Sequence, residues 1–585
     1  MNGTQHFSFL RPYLHGSLPV NKAVYVRLFT ASCRPTPSRR SSCLAPQVLL
    51  HSESTRPISN WAEKKEEYLT DSAALALNIE RRVQKLENYN ALKYPRLGHR
   101  PDRMSVPEFR EAFKAETSTP APGEVVLEGR IMTLRRSGAK LVFLHILGGY
   151  QQVQAMIDFA GLPYLLDHFK KALKPLRRGD IISIKGKAIR TKAGELTLSA
   201  TELPTLLSPS IAPLPEKLTN VETRILNRQV DLLVNQRTSD TLRLRSQVVK
   251  SMRDFFHEQD FLEVQTPMLA DSAGGAIARP FLTSATEFPE KSLSLRIAPE
   301  LWLKRLVVGG NDKVFEIGQS FRNEGLDPTH NPEFTTCEFY SAYTNLPELI
   351  SMTEGLIGRL VEDATQAIES RLTSLDAPKM TSQCGGWKQV EFIPALEEIL
   401  GFKFPSLSDP DALIKLRNLV AEANPLAASP EMSLNKALDY LASTHLEKDS
   451  FGQPLFIIHH PACMAPLSKS FTCPKTGQLV SARAELFIEG REIANMYEEE
   501  NDPFEQRRKF EEQLRNKNKA HDDEGPLEID ESFVQALEHG LPPTGGWGCG
   551  VDRLVMLLSG ASRISDTLPF GNLKNIVSLA SAAKS

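Results

Sequence analysis

Acidic residues are missing from one end of this chain. Residues 1–52 contain no Asp or Glu, yet carry Arg11, Lys22, Arg27, Arg34, Arg39 and Arg40 among many Ser and Thr. That composition, without the continuous apolar core of a secretory signal, marks an organellar transit peptide. Import into the mitochondrial matrix is the expectation for residues 1–55. No apolar run approaches the ~20 residues of a membrane span, which excludes a bilayer-crossing helix. Cysteine is sparse: seven residues, an odd number scattered from Cys33 to Cys549, argue against a disulfide scaffold and suit a reducing compartment. Cys463 and Cys473 are spaced too widely for a structural zinc pair. Net charge is nearly absent as well, −2 over 585 residues, so any nucleic-acid contact must come from a local patch.

What the chain does have is the composition of a folded protein, 41% hydrophobic and 24% charged. At 585 residues it exceeds one hydrophobic core, so two or three domains follow. Residues 56–122 form a charged, helix-prone extension in which LALNIERRVQKLENYNAL (75–92) is amphipathic. Residues 123–207 change character. VVLEGRIMTLRR, LVFLHILGG, QQVQAMIDF, GDIISIKGKAI and LTLSATELPTLL read as five short strands, with the helical YLLDHFKKAL (164–173) between the third and fourth. That is the layout of an OB-fold β-barrel, whose strand face binds oligonucleotides. A Pro- and Ser-rich hinge, SPSIAPLPEKL (208–218), leads to a large domain over 219–585 in which strand-like and helical runs mix. The fold class is α+β and multidomain.

The large domain is organised around Arg296 to Tyr340. VFEIGQSF (314–321) alternates apolar and polar residues like a half-buried strand and runs into Arg322-Asn323-Glu324-Gly325. After a polar loop, FTTCEFYSAY (334–343) returns as a second strand, with Glu338 and Tyr340 on one face by the two-residue period. Arg, Glu, Glu and Tyr around one surface suit a small ligand carrying both anionic and cationic groups. Exposed salt bridges would produce the same residue types.

FRNEG followed by HNPEFT and CEFY resembles the second signature of class II aminoacyl-tRNA synthetases, and most resembles the lysyl members. Other stretches agree in order. RLRSQVVKSMRDFFHEQDFLEVQTPML (243–269) resembles the first motif, which in that family builds a homodimer interface. PPTGGWGCGVDRLVMLL (542–558) resembles the third, although Trp547 and Cys549 stand where aliphatic residues are common. GRIMTLRRSGAKLVFLHI resembles the anticodon-binding barrel of the class IIb subgroup.

The resemblance implies a fold and a set of roles. The fold would be an N-terminal OB-fold barrel joined to a class II catalytic domain, an antiparallel sheet flanked by helices. The activity would be ATP-dependent lysine–tRNA ligation, with L-lysine, ATP and tRNA(Lys) as partners and Mg²⁺ as cofactor. Gly275 and Glu300 would meet the α-ammonium of lysine, Asn495 its carboxylate, and Glu499 with Tyr340 its ε-ammonium, while Glu338 lies in the same pocket. Among the three adjacent glutamates Glu498–Glu500, the choice of Glu499 rests on the resemblance alone. Phe334 would stack on adenine, while Glu324, His330 and Asn331 orient ATP. Arg322 would face the α-phosphate and Arg553 the γ-phosphate. Glu485 and Glu492 would hold Mg²⁺, with Glu492 also in the ATP site. Arg136, Phe143 and Gln154 would hold the central anticodon base, a uridine. Two alternatives share the domain order: an aspartyl- or asparaginyl-type synthetase, whose substrate needs a cationic pocket, and a non-catalytic RNA-binding relative.

Overall fold

The computed structural model describes residues 72–115, 123–271, 274–275, 278–380, 386–421, 432–520 and 529–582. The transit-peptide expectation for residues 1–55 lies outside the described residues. Among the described residues no helix is long and apolar enough to cross a membrane.

Helix α1 (Ser72–Asn88) realises the amphipathic stretch of the extension. Its Arg82 is buried and reaches into the next domain. The guanidinium bonds both carboxylate oxygens of Asp180 at 2.7 and 2.9 Å, Pro175 O at 2.6 Å and Ser210 O at 3.2 Å. Asp180 also accepts the Ser210 N–H at 2.8 Å, so one carboxylate ties the extension, the barrel and the start of the hinge together.

The small domain begins with β1 (Arg103–Met104) and a short helix, α2 (Val106–Ala112), closed by a Ser105/Glu108 capping box. Its strands are β2 (Val125–Ser137), β3 (Leu141–Gly148), β4 (Gln151–Asp158), β5 (Ile181–Arg190), β6 (Leu196–Ala200) and β7 (Thr205–Ser208). Because β2 pairs with both β3 and β5, the order β2-β3-β4-β6-β5 closes into a five-stranded barrel. Val142, Leu144 and Ile146 alternate inward, and helix α3 (Leu166–Leu173) covers one end with Phe169 and Leu173. The fifth expected strand is two. Pro204, which has no N–H for a ladder, separates β6 from β7.

The run 220–235 forms two short helices, and the long helix α4 (Gln236–His257) follows. Then come β8 (Leu262–Glu263), β9 (Leu269–Ala270), β10 (Leu282–Ala285), β11 (Phe288–Leu295), helix α5 (Glu300–Val308), β12 (Lys313–Phe321), β13 (Glu333–Ala342) and helix α6 (Leu346–Arg371). The remainder supplies β14 (Lys388–Glu391), β15 (Leu455–Ile458), β16 (Ser470–Thr472), β17 (Leu479–Ser481), β18 (Arg483–Ile488), β19 (Arg491–Glu498), β20 (Thr544–Gly550) and helix α7 (Val551–Ser559). The central sheet runs β14-β15-β18-β19-β20-β13-β12-β8 and is antiparallel except at its two edges. Of the stretch that resembles the first motif, α4 is followed by only the two-residue strands β8, parallel to β12, and β9.

The two faces of this sheet divide the labour. On one face Phe315, Cys337, Phe339, Met496, Trp547 and Cys549 meet Leu244, Val248, Met252 and Phe256 of α4 and Leu349, Leu356, Ile357 and Leu360 of α6. Trp547 lies flat on Phe339, ring centroids 5.2 Å apart at 21°. The departures Trp547 and Cys549 therefore send their side chains into the helix-covered core. The other face is left open by the glycines between them.

Candidate active site

Register places the open face in rows across the sheet. One row runs Glu485 (β18), Asn495 (β19), Gly548 (β20), Glu338 (β13) and Glu316 (β12). The next runs Arg483, Tyr497, Gly546, Tyr340 and Val314. Glycine occupies the centre of both rows, so the middle of the sheet is a floor of bare backbone. Above it lies a cavity of about 510 Å³. Its walls include Gly275, Glu300, Arg322, Glu324, His330, Asn331, Phe334, Glu338, Tyr340, Glu485, Glu492, Asn495 and Arg553. Of the expected catalytic-domain site residues, only Glu499 lies outside this lining.

Glu499 is 1% exposed and lies over Gly546 on the open face of the sheet, its Oε1 filling the space a side chain there would take. A Cβ built on Gly546 would fall 1.9 Å from that oxygen and 2.7 Å from Tyr340 Cε1, so no side chain fits there. The structure also separates the three adjacent glutamates. Glu498 Oε1 accepts the Leu346 N–H at 3.0 Å at the start of α6, and Glu500 pairs with Lys509 at 2.7 Å. Glu499 forms an ion pair with Lys304, which is fully buried. Lys304 Nζ also donates to Glu300 Oε1 at 2.6 Å, and the Tyr497 hydroxyl donates to that same oxygen at 2.7 Å. Glu338 accepts a 3.3 Å bond from the Tyr340 hydroxyl. Burial first, then the charge of Glu300, push the Glu338 carboxyl up to about 8, against the pull of Arg322 and Arg296. This end of the cavity is a nest of carboxylates and phenols.

The other end is cationic. Arg322 leaves β12 at its end and lies over the Phe334 ring, 5.2 Å from the centroid. Arg553, in the first turn of α7, bonds His330 Nε2 at 2.7 Å and Glu492 Oε2 at 3.2 Å. His330 is oriented in turn by Asp327 at 2.6 Å. Asn331 is committed to backbone: its Oδ1 accepts the Leu573 N–H at 3.0 Å and its amide donates to Glu333 O, so it braces the loop. Between the two ends stand Glu485 and Glu492. Burial pushes Glu485 up, but Arg483 and the His460 ring, 3.1 Å from Oε2, overcome it and hold the carboxyl at about 2. Burial and the charge of Glu485 both push Glu492 up, with Arg553 opposing.

The spacing that reveals part of this was available. Lys304 is four residues from Glu300 on one helix face, and Asn495, Tyr497 and Glu499 share a two-residue period. His460 and Arg483, which hold Glu485, carry no local signal.

The barrel presents a second, smaller cavity of about 360 Å³, lined by Arg110, Lys114, His145, Gln154, Arg190 and Glu195 among others. Gln154 stands opposite His145 on the outer face and donates to Glu195 Oε2 at 2.7 Å. Phe143 is on the same face, two residues from His145. Arg136 is not. Register puts Arg135 opposite Phe143, with its guanidinium 5.0 Å from that ring's centroid. Arg136 alternates away and donates to Leu173 O at 2.8 Å, capping the last turn of α3. The structure brings Phe143 and Gln154 together and separates Arg136 from them.

Comparison with known proteins recognises both domains. The family model described as tRNA synthetases class II (D, K and N) matches residues 220–574. The OB-fold nucleic acid binding domain model matches residues 125–206. A mitochondrial lysine–tRNA ligase of Schizosaccharomyces pombe is 40% identical over 506 residues, covering 85% of this chain and 94% of its own length. A lysine–tRNA ligase of Listeria innocua is 39% identical, covering 77% of this chain and 87% of its own. That of Enterococcus faecalis is 38% identical, covering 77% and 87%. With both domains matched in order and the carboxylate nest beside two arginines, the chain belongs to the class II aminoacyl-tRNA synthetases, among the lysine–tRNA ligases.

Proposed function

We propose that the chain joins L-lysine to ATP, releasing pyrophosphate, and passes the lysyl group from the adenylate to the 3′ end of tRNA(Lys), releasing AMP. The observation that carries this reading is the polarity of one cavity: buried Glu300, Glu338 and Glu499 at one end, Arg322 and Arg553 at the other. Lysine supplies two ammonium groups to the first end and a carboxylate that points toward the second. That carboxylate oxygen attacks the α-phosphorus as the bond to pyrophosphate breaks. The nucleophile is already an anion, so the protein needs no general base. Arg322 neutralises charge developing on the α-phosphate, and Arg553 holds the departing end. Phe334, flanked by Arg322, offers a ring face to adenine, while Glu324 and His330 orient ATP.

Glu485 and Glu492 fit a hard divalent cation. Two carboxylates on the cavity wall interact, one held ionised and the other pushed up by burial and by its neighbour's charge, an arrangement that a cation relieves. They would hold Mg²⁺ with phosphate oxygens completing its shell, and the ion would supply charge neutralisation of the phosphates.

The aspartyl-type alternative requires a free cation in the amino-acid pocket. Lys304 is a cation there, but it is committed to Glu300 and Glu499. The Glu338 carboxyl and the outer oxygens of Glu300 and Glu499 offer a substrate acceptors and no free cation. A pocket so built rejects apolar side chains by leaving its own polar groups unpaired.

On the barrel, Phe143 and Gln154 form the reading face for the central anticodon base, within a basic rim of Arg110, Lys114 and Arg190. The protein acts as a homodimer through residues 243–269, where Leu262, Met268 and Leu269 are exposed, with exposed Leu282 and Phe288 beyond that stretch extending the surface. It serves the mitochondrial matrix, a reading supported by the acid-free N-terminus and by the mitochondrial relative. Charging of tRNA(Lys) transcripts tests the whole. Lysine attachment that collapses when the central anticodon uridine is replaced supports the proposal; equal charging of both transcripts contradicts the barrel's role.

A further inference from the structure

Lys304 has no place in the chemistry above, yet it is fully buried at the centre of the amino-acid end. Its Nζ lies within 6 Å of three aromatic ring centroids, those of Tyr340, Tyr497 and Phe533, at 5.9, 5.7 and 5.9 Å. It touches one oxygen of each of two carboxylates, Glu300 Oε1 and Glu499 Oε2. The remaining oxygens point elsewhere. Glu300 Oε2 faces the glycine ledge, 3.7 Å from where a Cβ on Gly275 would stand. Glu499 Oε1 faces Gly546 and has no hydrogen-bond partner among the described residues. Both glycines line the cavity.

We propose that Lys304 is a resident counter-ion for amino-acid selection: its ammonium takes the inner oxygens of Glu300 and Glu499, and so presents their outer oxygens to the two ammonium groups of the substrate. This rests on the lysine reading of the pocket. The physical need is plain. Two buried carboxylates sharing one small volume repel each other, and without a cation one of them takes a proton. A protonated Glu499 no longer demands an ammonium, and its carboxyl is free to rotate. Burial pushes the Glu499 carboxyl well up, and the Lys304 ammonium pulls against it. The lysine thus favours the charged form and fixes both glutamates before substrate arrives, through a rigid helix turn that also carries Glu300. It touches no reacting atom and is a positioning residue. It stands on the same helix face as Glu300, which makes the cation and one of its carboxylates a single prefabricated unit.

The test is the Lys304→Met variant, similar in length without the charge, assayed by amino-acid-dependent ATP–pyrophosphate exchange. Lysine is compared with norleucine, which has the same chain and no ε-ammonium. The expected result is a lysine KM raised tenfold or more, an ATP KM within twofold of wild type, and a lysine-over-norleucine preference reduced at least tenfold. A merely structural lysine would lower activity toward both amino acids together and leave their ratio alone. A folded variant with unchanged lysine KM and unchanged preference overturns the inference. Wild-type protein without lysine-dependent exchange removes the pocket reading itself, and this inference with it. Where Lys304→Met does not fold, a crystal structure of the native protein with L-lysine bound decides. Lys304 retained on both glutamates, with the ligand's ammonium on Glu499 Oε1, supports the proposal; Lys304 displaced by the ligand overturns it.

Discussion

Glu498, Glu499 and Glu500 are chemically identical neighbours with three unrelated jobs: a helix-start acceptor, a pocket anion and a structural ion pair. Nothing in the run EEEND separates them; the strand period and the packing around β19 do. Glu499→Gln keeps the shape and removes the charge. It is expected to lower kcat/KM for lysine at least a hundredfold, about 3 kcal/mol, with ATP binding unchanged, as measured by pyrophosphate exchange and ATP titration. A variant with lysine parameters near wild type would sink the role of Glu499. The sequence was equally silent on Arg136. Its spacing from Phe143 matched the family, but neighbouring arginines lie on opposite faces of a strand, and only register shows that Arg135 is the one beside the ring. Glu338 gives a pH signature. Its folded value of about 8 stands above the ordinary 4.5, so between those limits the folded chain holds a proton that the unfolded chain has lost. Stability from this group therefore falls as pH rises from about 4.5 through 8. Lysine, by favouring the ionised carboxyl, should release that proton on binding. Calorimetry at pH 6.5 in buffers of different ionisation heat reads this directly; a buffer-independent heat would refute it.

At the scale of elements, the strands were legible where one face is buried and the other polar. VFEIGQSF and FTTCEFY alternate visibly, and they became β12 and β13. TGGWGCG showed itself as Gly-rich, but the reason appears only in the register: glycine on the cavity face, Trp547 and Cys549 on the core face. Residues 346–480 were least legible. Their strands β14 to β17 are three or four residues long, too short to show a period, and a separate small core around Phe392, Leu416 and Leu438 holds them. Helix α6 covers the core face of the sheet and begins at a capping box, in which Asn345 Oδ1 accepts the Glu348 N–H at 3.0 Å. Asn345→Ala should cost about 1 kcal/mol, seen as a lower urea midpoint with an unchanged lysine KM. A lysine KM that moved instead would place the cap in the site and not merely in the scaffold.

For the whole molecule, the domain order was readable because each domain has its own pattern: alternating short strands before the Pro-rich hinge, mixed elements after it. What the sequence concealed is the tie between extension and barrel. Arg82 and Asp180 lie 98 residues apart and meet where burial leaves no water to replace either. Arg82→Ala leaves Asp180 buried without its cation and should destabilise by about 3 kcal/mol. Because the clamp belongs to the RNA-reading side, transfer to tRNA should suffer more than amino-acid activation. Thermal melts and paired assays of the two half-reactions would show it, and equal loss in both would argue for a global effect. The function of the whole molecule turns on whether the carboxyl-rich end of the catalytic cavity selects lysine. Pyrophosphate exchange on protein lacking residues 1–55, with lysine, aspartate and asparagine offered separately, tests it most directly. Exchange with lysine alone is the predicted result; exchange with aspartate or asparagine, or none with any amino acid in a folded and ATP-binding protein, would contradict it.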